Sequence, residues 1–133
     1  MPIEKAGCVL LSKDTKRIGL IYRPGRRDYS FPKGHVEKGE SLRKCALRET
    51  EEESKIIPEI ILNEEIGVVR YDNAYEKNIV LHLYLAQENG VSPYDIEDEE
   101  ICEFIWVDKY EVEDMLSYEY LRDFWRSIKD RLL

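Results

Sequence analysis

Glu49, Glu52 and Glu53 stand at i, i+3 and i+4, the spacing that brings three carboxylates onto one face within about a turn of a helix. Like charges that close repel one another and are costly to desolvate, so the arrangement calls for a compensating cation. Hard carboxylate oxygens suit Mg2+, with Mn2+ as a substitute, and an ion held by few protein ligands keeps positions for water and phosphate oxygens. The chemistry indicated is metal-assisted work on phosphate. Against it stands the ordinary reading of a Glu-rich helical run as a solvated face. Two features favour the metal. Leu42, Cys45 and Ala46 share the helical face of the three glutamates, so a face that should pack inward turns acidic. In front of the helix, the segment from Pro32 to Glu40 carries Gly34 and Gly39, whose backbone can come close to a ligand.

The flanking pattern must position that helix. Residues 4–11 and 17–23 are β-rich apolar runs joined by a polar stretch, which predicts an antiparallel hairpin. Pro24, Gly25 and the charged residues after them break periodicity, and the chain is expected to stay irregular to about Glu40. Ser41 can cap a helix running to about Lys55, with Pro58 stopping it. Strands are expected near 60–70 and at 77–87, where Ile79, Leu81, Leu83 and Leu85 alternate with Val80, His82, Tyr84 and Ala86 and cover both faces. An acidic run, Asp95 to Glu100, precedes a strand ending in Trp106 and Val107. Tyr118, Leu121, Phe124, Ile128 and Leu132 form one apolar stripe at helical spacing. The order predicts an α/β sandwich with a mixed sheet.

Composition sets bounds on partners. A length of 133 residues suits one domain, 1–133, with a core of its own, and 43% hydrophobic with 36% charged residues describes an ordinary folded chain. The net charge of −8 argues against stable nucleic-acid complexes and anionic membranes, so an anionic substrate would need local cations or a metal. No apolar run approaches the roughly 18 residues that span a bilayer. Three dispersed cysteines, Cys8, Cys45 and Cys102, and no apolar leader point to a reducing cytoplasm. Oligomeric state is left open.

Gly34, five residues, Glu40, seven residues, Arg48-Glu49, then Glu52-Glu53 and Ile56 resembles the Nudix box over residues 34–56. The segments before and after the box also resemble that family, which implies a Nudix-type α/β/α sandwich with a mixed sheet. Carried over by position, the resemblance implies that Glu49, Glu52 and Glu53 bind magnesium with the Gly34 carbonyl as a further ligand. It implies that Arg48 holds the glutamates by ion pairing and that Glu40 buttresses the loop. Metals would neutralise phosphate oxygens and polarise a water, and a carboxylate would take its proton. One departure is Lys55, where the family pattern has Gly. If that position is left-handed, Lys55 carries strain there.

Pro32, Lys33, Gly34 and His35 resemble the diadenosine tetraphosphate hydrolase branch, which implies a dinucleoside tetraphosphate substrate. Lys33 and Arg23 are candidate phosphate cations, Lys33 against the alternative of a solvated loop cation and Arg23 against the commoner surface role of an edge arginine. Tyr84 is a candidate for stacking on a base, set against the commoner core role of tyrosine. Glu100 stands six residues before Trp106. In the branch it resembles, a Glu at that offset reaches the metal cluster, so Glu100 is a candidate metal ligand or base, against the alternative of a solvated acidic loop. Two other readings stay open: a pyrophosphohydrolase of an oxidised nucleoside triphosphate, an RNA 5′ end or an inositol pyrophosphate, and a non-catalytic nucleotide sensor.

Overall fold

The computed structural model describes residues 1–93 and 102–132. β1 (Ile3–Leu11) and β2 (Arg17–Arg23) pair antiparallel with Leu10 opposite Gly19, the expected hairpin. The segment after it, expected to be irregular, contains two short strands, β3 (Asp28–Ser30) and β4 (Lys33–His35). Hydrophobic periodicity cannot register three-residue strands; their pairing partners do, β3 on β2 and β4 on β1. Gly7 makes the second pairing possible, since a Cβ there would lie 2.1 Å from the Pro32 carbonyl oxygen.

Helix α1 (Leu42–Ser54) begins at Ser41, whose hydroxyl accepts from the Lys44 N–H at 3.1 Å. It ends at Lys55, which adopts φ 62° and ψ 20° and donates its N–H to the Glu51 carbonyl at 2.8 Å. A left-handed residue turns the chain straight into β5 (Ile56–Ile60). Pro58 therefore does not stop the helix; it lies within β5, at the edge of the sheet and beside a register irregularity, where a missing N–H is tolerated. The strand expected near 60–70 is two, β5 and β6 (Gly67–Tyr71), both antiparallel to β7 (Ile79–Val91). β8 (Glu103–Asp108) runs antiparallel to β2. A short helix α2 (Val112–Met115) and the long α3 (Glu119–Leu132) follow.

The eight strands make one mixed sheet, in which five follow the order β3-β2-β1-β7-β5 while β4 pairs with β1, β6 with β7 and β8 with β2, and the β1–β7 pair is parallel. Alternation along β1 and β7 divides the core by face. Ala6, Cys8, Leu10, Tyr84 and Ala86 pack against Cys45 and Ala46 of α1. Val9, Leu11, Leu81, Leu83 and Leu85 pack against Leu121, Phe124, Trp125 and Ile128 of α3. The α/β fold expected from the element order is thus present, with α1 on one face of the sheet and α3 on the other. Among the described residues no helix is long and apolar enough to cross a membrane.

Lys55 generates a direct test. A Cβ in the left-handed region costs about 1 kcal/mol, partly offset here by the Lys55 ammonium donating to the Glu52 carbonyl at 2.5 Å. Lys55→Gly should raise the free energy of unfolding by up to about 1 kcal/mol in denaturant titrations. A destabilised variant would mean that the side-chain bond outweighs the strain.

Candidate functional site

Arg48 organises the inward face of α1. Its Nε and Nη2 donate to both oxygens of Glu40 at 2.7 and 3.0 Å, and Nη2 also reaches the His35 carbonyl at 3.1 Å. Nη1 donates to Glu49 at 2.7 Å and to Glu52 at 3.2 Å. One guanidinium thus ties the helix to the loop in front of it. Those hydrogen bonds hold Arg48 firmly charged, and the bond from Arg48 holds the Glu40 carboxyl below the usual carboxylate range. Glu53 accepts the Lys33 backbone N–H at 2.7 Å. Gly34 faces this wall so closely that a Cβ would lie 2.1 Å from the Glu49 carboxyl carbon. Below the loop, the buried Cys45 thiol donates to the Gly34 and His35 carbonyls at 3.6 and 3.5 Å. Burial pushes that thiol up to about 12, so it stays a neutral donor.

Cations line the same pocket as the α1 glutamates. Arg23 ends β2 and grips Asp28 through Nε and Nη2, both at 2.7 Å, and Tyr118 donates its hydroxyl to the same carboxylate. Asp28 is only 2% exposed. Burial pushes its carboxyl up, but the bonds from Arg23 and Tyr118 outweigh that effect and leave it below the usual range. Burial lowers the Lys33 ammonium well below the ordinary lysine range, Arg23 adds to the effect, and Glu53 only partly restores it. Lys5, buried on β1, pairs with Glu76 at 3.1 Å, and the other Glu76 oxygen meets His35 at 2.8 Å.

The pocket has a volume of about 480 Å³ and is lined by Lys5, Arg23, Arg26, Lys33, Arg48 and the three α1 glutamates, with Gly34, His35, Ser30, Glu37 and Glu76 completing it. Carboxylates and cations lining one pocket suit a ligand that is itself anionic and arrives with a divalent metal. The donors fit such an ion in kind: hard oxygens, and a glycine where a side chain would fill the space. Among the described residues, however, no three acidic, histidine or cysteine side chains converge as metal ligands. Arg48 and the Lys33 N–H draw the three glutamates apart.

Of the residues singled out from sequence, Gly34, Arg48, Glu49, Glu52, Glu53, Arg23 and Lys33 come together here. Tyr84 does not. It is 7% exposed, in the core beneath α1, because its position in the central strand β7 points it at the helix, and no base can reach it. Glu100 lies outside the described residues, as do Glu97 and Glu99. Sequence reasoning missed Lys5, Arg26, Glu76 and the Asp28–Tyr118 contact. A lysine within the apolar run of β1 was a usable signal; Asp28 and Tyr118, 90 residues apart, offered none.

The chain matches the family model described as NUDIX domain over residues 1–125. A curated Mycobacterium tuberculosis relative bearing the name mutator protein MutT4 is 34% identical over 104 residues, covering 76% of this chain. The match spans 41% of that relative's own length. Among solved structures, a NUDIX hydrolase from Nitrosomonas europaea superposes with TM-score 0.81 at 18% identity, covering 98% of this chain and 90% of that one. A C. elegans Ap4A hydrolase in a binary complex superposes with TM-score 0.79 at 25% identity, covering 98% and 97%.

Two outcomes follow from the geometry. Gly34→Ala must drive the Glu49 carboxylate from its place beside Arg48, and Mn2+ affinity measured by electron paramagnetic resonance should fall about 10-fold or more. Unchanged affinity would remove Glu49 and Gly34 from the metal site. Asp28→Asn should cost about 3 kcal/mol at pH 7, because it removes the buried carboxylate charge that Arg23 grips. A carboxyl with a depressed folded-state pKa contributes stability above its unfolded value of about 3.9 and loses it as pH falls further. The gap between wild type and variant should therefore close below about pH 4 in denaturation series. A gap independent of pH would show that packing, and not charge, holds Asp28.

Proposed function

We propose that this chain, which belongs to the Nudix family, is a divalent-metal-dependent hydrolase cleaving a phosphoanhydride bond of a nucleoside polyphosphate. Nudix hydrolases act on nucleotide substrates and generally use divalent ions, typically Mg2+. The single observation that carries the reading is one pocket lined by the three helix carboxylates together with Arg23, Arg26, Lys5 and Lys33.

In this reading Glu49, Glu52 and Glu53, with the Gly34 carbonyl, would hold the cation, and the two bonds from Arg48 to Glu40 fix the loop in front of them. When bound, Mg2+ supplies neutralisation of charge on the phosphate oxygens. A carboxylate, from Glu53, Glu49 or Glu100, accepts the proton of the water that attacks phosphorus. Lys33 and Arg23 bind non-bridging oxygens and stabilise the charge that moves onto the departing phosphate.

A dinucleoside tetraphosphate is the favoured substrate. Lys33, Gly34 and His35 support it, as does the likeness to a protein titled Ap4A hydrolase over nearly its whole length. The name of the curated relative supports a second reading, a nucleoside triphosphate pyrophosphohydrolase of the MutT kind. Product analysis across dinucleoside polyphosphates and ordinary and oxidised nucleoside triphosphates, with saturating Mg2+, separates the two. In the same assay Glu52→Gln and Glu53→Gln should each lower turnover about 10²-fold or more while the protein stays folded. Glu100→Gln should lower it about tenfold, with Glu97→Gln and Glu99→Gln near wild type. Wild-type turnover in both α1 variants would overturn the hydrolase site, and equal small effects at 97, 99 and 100 would remove Glu100 from it.

A further inference from the structure

The segment just before α3 contributes nothing to the pocket lining among the described residues, yet one of its side chains grips a residue on which the pocket depends. Tyr118 donates its hydroxyl to Asp28, whose two carboxylate oxygens also take the Nε and Nη2 donors of Arg23 at 2.7 Å each. Oδ2 thus serves Arg23 and Tyr118 together, while Oδ1 serves Arg23. The torsion that sets the plane of an aspartate carboxylate is broad, so a bidentate pair by itself can swing as one unit. A third donor from another element fixes that plane, and the planar fork of Arg23 has to follow it.

Tyr118 is itself held from several directions. Its carbonyl accepts the N–H groups of Leu121 and Arg122, both at 3.0 Å, and so ties it to the first turn of α3. The preceding Ser117 is clamped to β3: its hydroxyl accepts the Tyr29 N–H at 2.8 Å, and its own N–H donates to the Tyr29 carbonyl at 3.3 Å. The Tyr118 ring stacks on Tyr120 with centroids 5.2 Å apart and planes 10° from parallel, and Tyr120 stacks on Tyr71 of β6 at 4.1 Å and 11°. Three parallel rings, anchored on a strand and a helix, aim the hydroxyl at Asp28. Burial and the Asp28 carboxylate both raise the Tyr118 hydroxyl above the ordinary tyrosine value, so it stays a donor. Asp28 is buried away from the bulk water that could stand in for that donor.

We propose that Tyr118 is a positioning residue of the pocket, acting through Asp28 to fix the plane in which the Arg23 guanidinium meets phosphate. The inference rests on the reading of Arg23 as a phosphate ligand.

A double-mutant cycle on the full chain tests it, read by calorimetry with inorganic tripolyphosphate at saturating Mg2+. Tyr118→Phe keeps the ring and its stack and removes only the hydroxyl, whereas Arg23→Lys keeps the charge and removes the planar fork. Thermal melts place every titration below the unfolding transition of each variant. Tyr118→Phe should lower the affinity about fivefold when Arg23 is present, and by less than about twofold in the Arg23→Lys background. Full affinity in Tyr118→Phe, or an equal loss in both backgrounds, would remove Tyr118 from this role, because a tyrosine that only stabilises the fold acts alike on either side chain. Hydrolysis of diadenosine tetraphosphate by the wild type, followed in parallel, separates the two readings. Coupling of Tyr118 to Arg23 without hydrolysis leaves the positioning role standing and removes the hydrolase. Hydrolysis without coupling removes only the positioning role.

Discussion

Three carboxylates share the inward face of α1: the Arg48 guanidinium meets Glu49 and Glu52, and the Lys33 backbone N–H meets Glu53. The Arg48 fork meets Glu40 with two hydrogen bonds and Glu49 and Glu52 with further ones, while a third direction reaches the His35 carbonyl. A lysine could supply the charge but not the planar set of donors that reaches a loop and a helix at once. Glu40 is therefore as much a part of the site as the glutamates of α1: it anchors the cation that would otherwise follow whichever acid was nearest. Removing one partner of such a cluster leaves the remaining charges partly desolvated and unmatched, which costs more than the pair contributes.

The same constraint explains how a chain of net charge −8 gathers Lys5, Arg23, Arg26 and Lys33 into one pocket. Charges screened over about 10 Å of saline do not average across a molecule, so the local set decides what a pocket admits. Lys5, Arg23, Arg26 and Lys33 are brought to one rim by three different strands and a turn. Two of them are held by dedicated acids, Glu76 and Asp28. Held cations need no reordering when an anion arrives, and this preorganisation is where electrostatic stabilisation gains over bulk water.

Asp28 also couples the pocket to the far end of the chain. Tyr118 precedes α3 and donates to Asp28, while Ser117 exchanges hydrogen bonds with the backbone of Tyr29. The apolar stripe of α3 buries Leu121, Phe124, Trp125 and Ile128 against the sheet, and that packing fixes the position of the two residues just before it. The orientation of Arg23 thus depends on a helix that contributes no side chain to the pocket lining among the described residues.

Periodicity determined much of this protein. The alternation along β1 and β7, the capped helix from Ser41 and the stripe from Leu121 to Ile128 are local patterns, and burial of apolar faces enforces them whatever the neighbours. The box residues were legible for the same reason: their contacts lie within one helix and the loop that enters it. Sequence failed where the cause was distant. Short β3 and β4 exist only because β2 and β1 offer edges, and Gly7 admits β4 only because Pro32 approaches it. The left-handed Lys55, not Pro58, ends α1, since β5 must turn at once to pair with β7. Tyr84 read equally well as a ligand platform or a core residue, and only the strand order, which places β7 beneath α1, decided for the core. Spacing along the chain determined which charges α1 would carry; which cations would face them was decided by long-range pairing, because residues as far apart as Asp28 and Tyr118 meet only when the sheet and its helices are assembled.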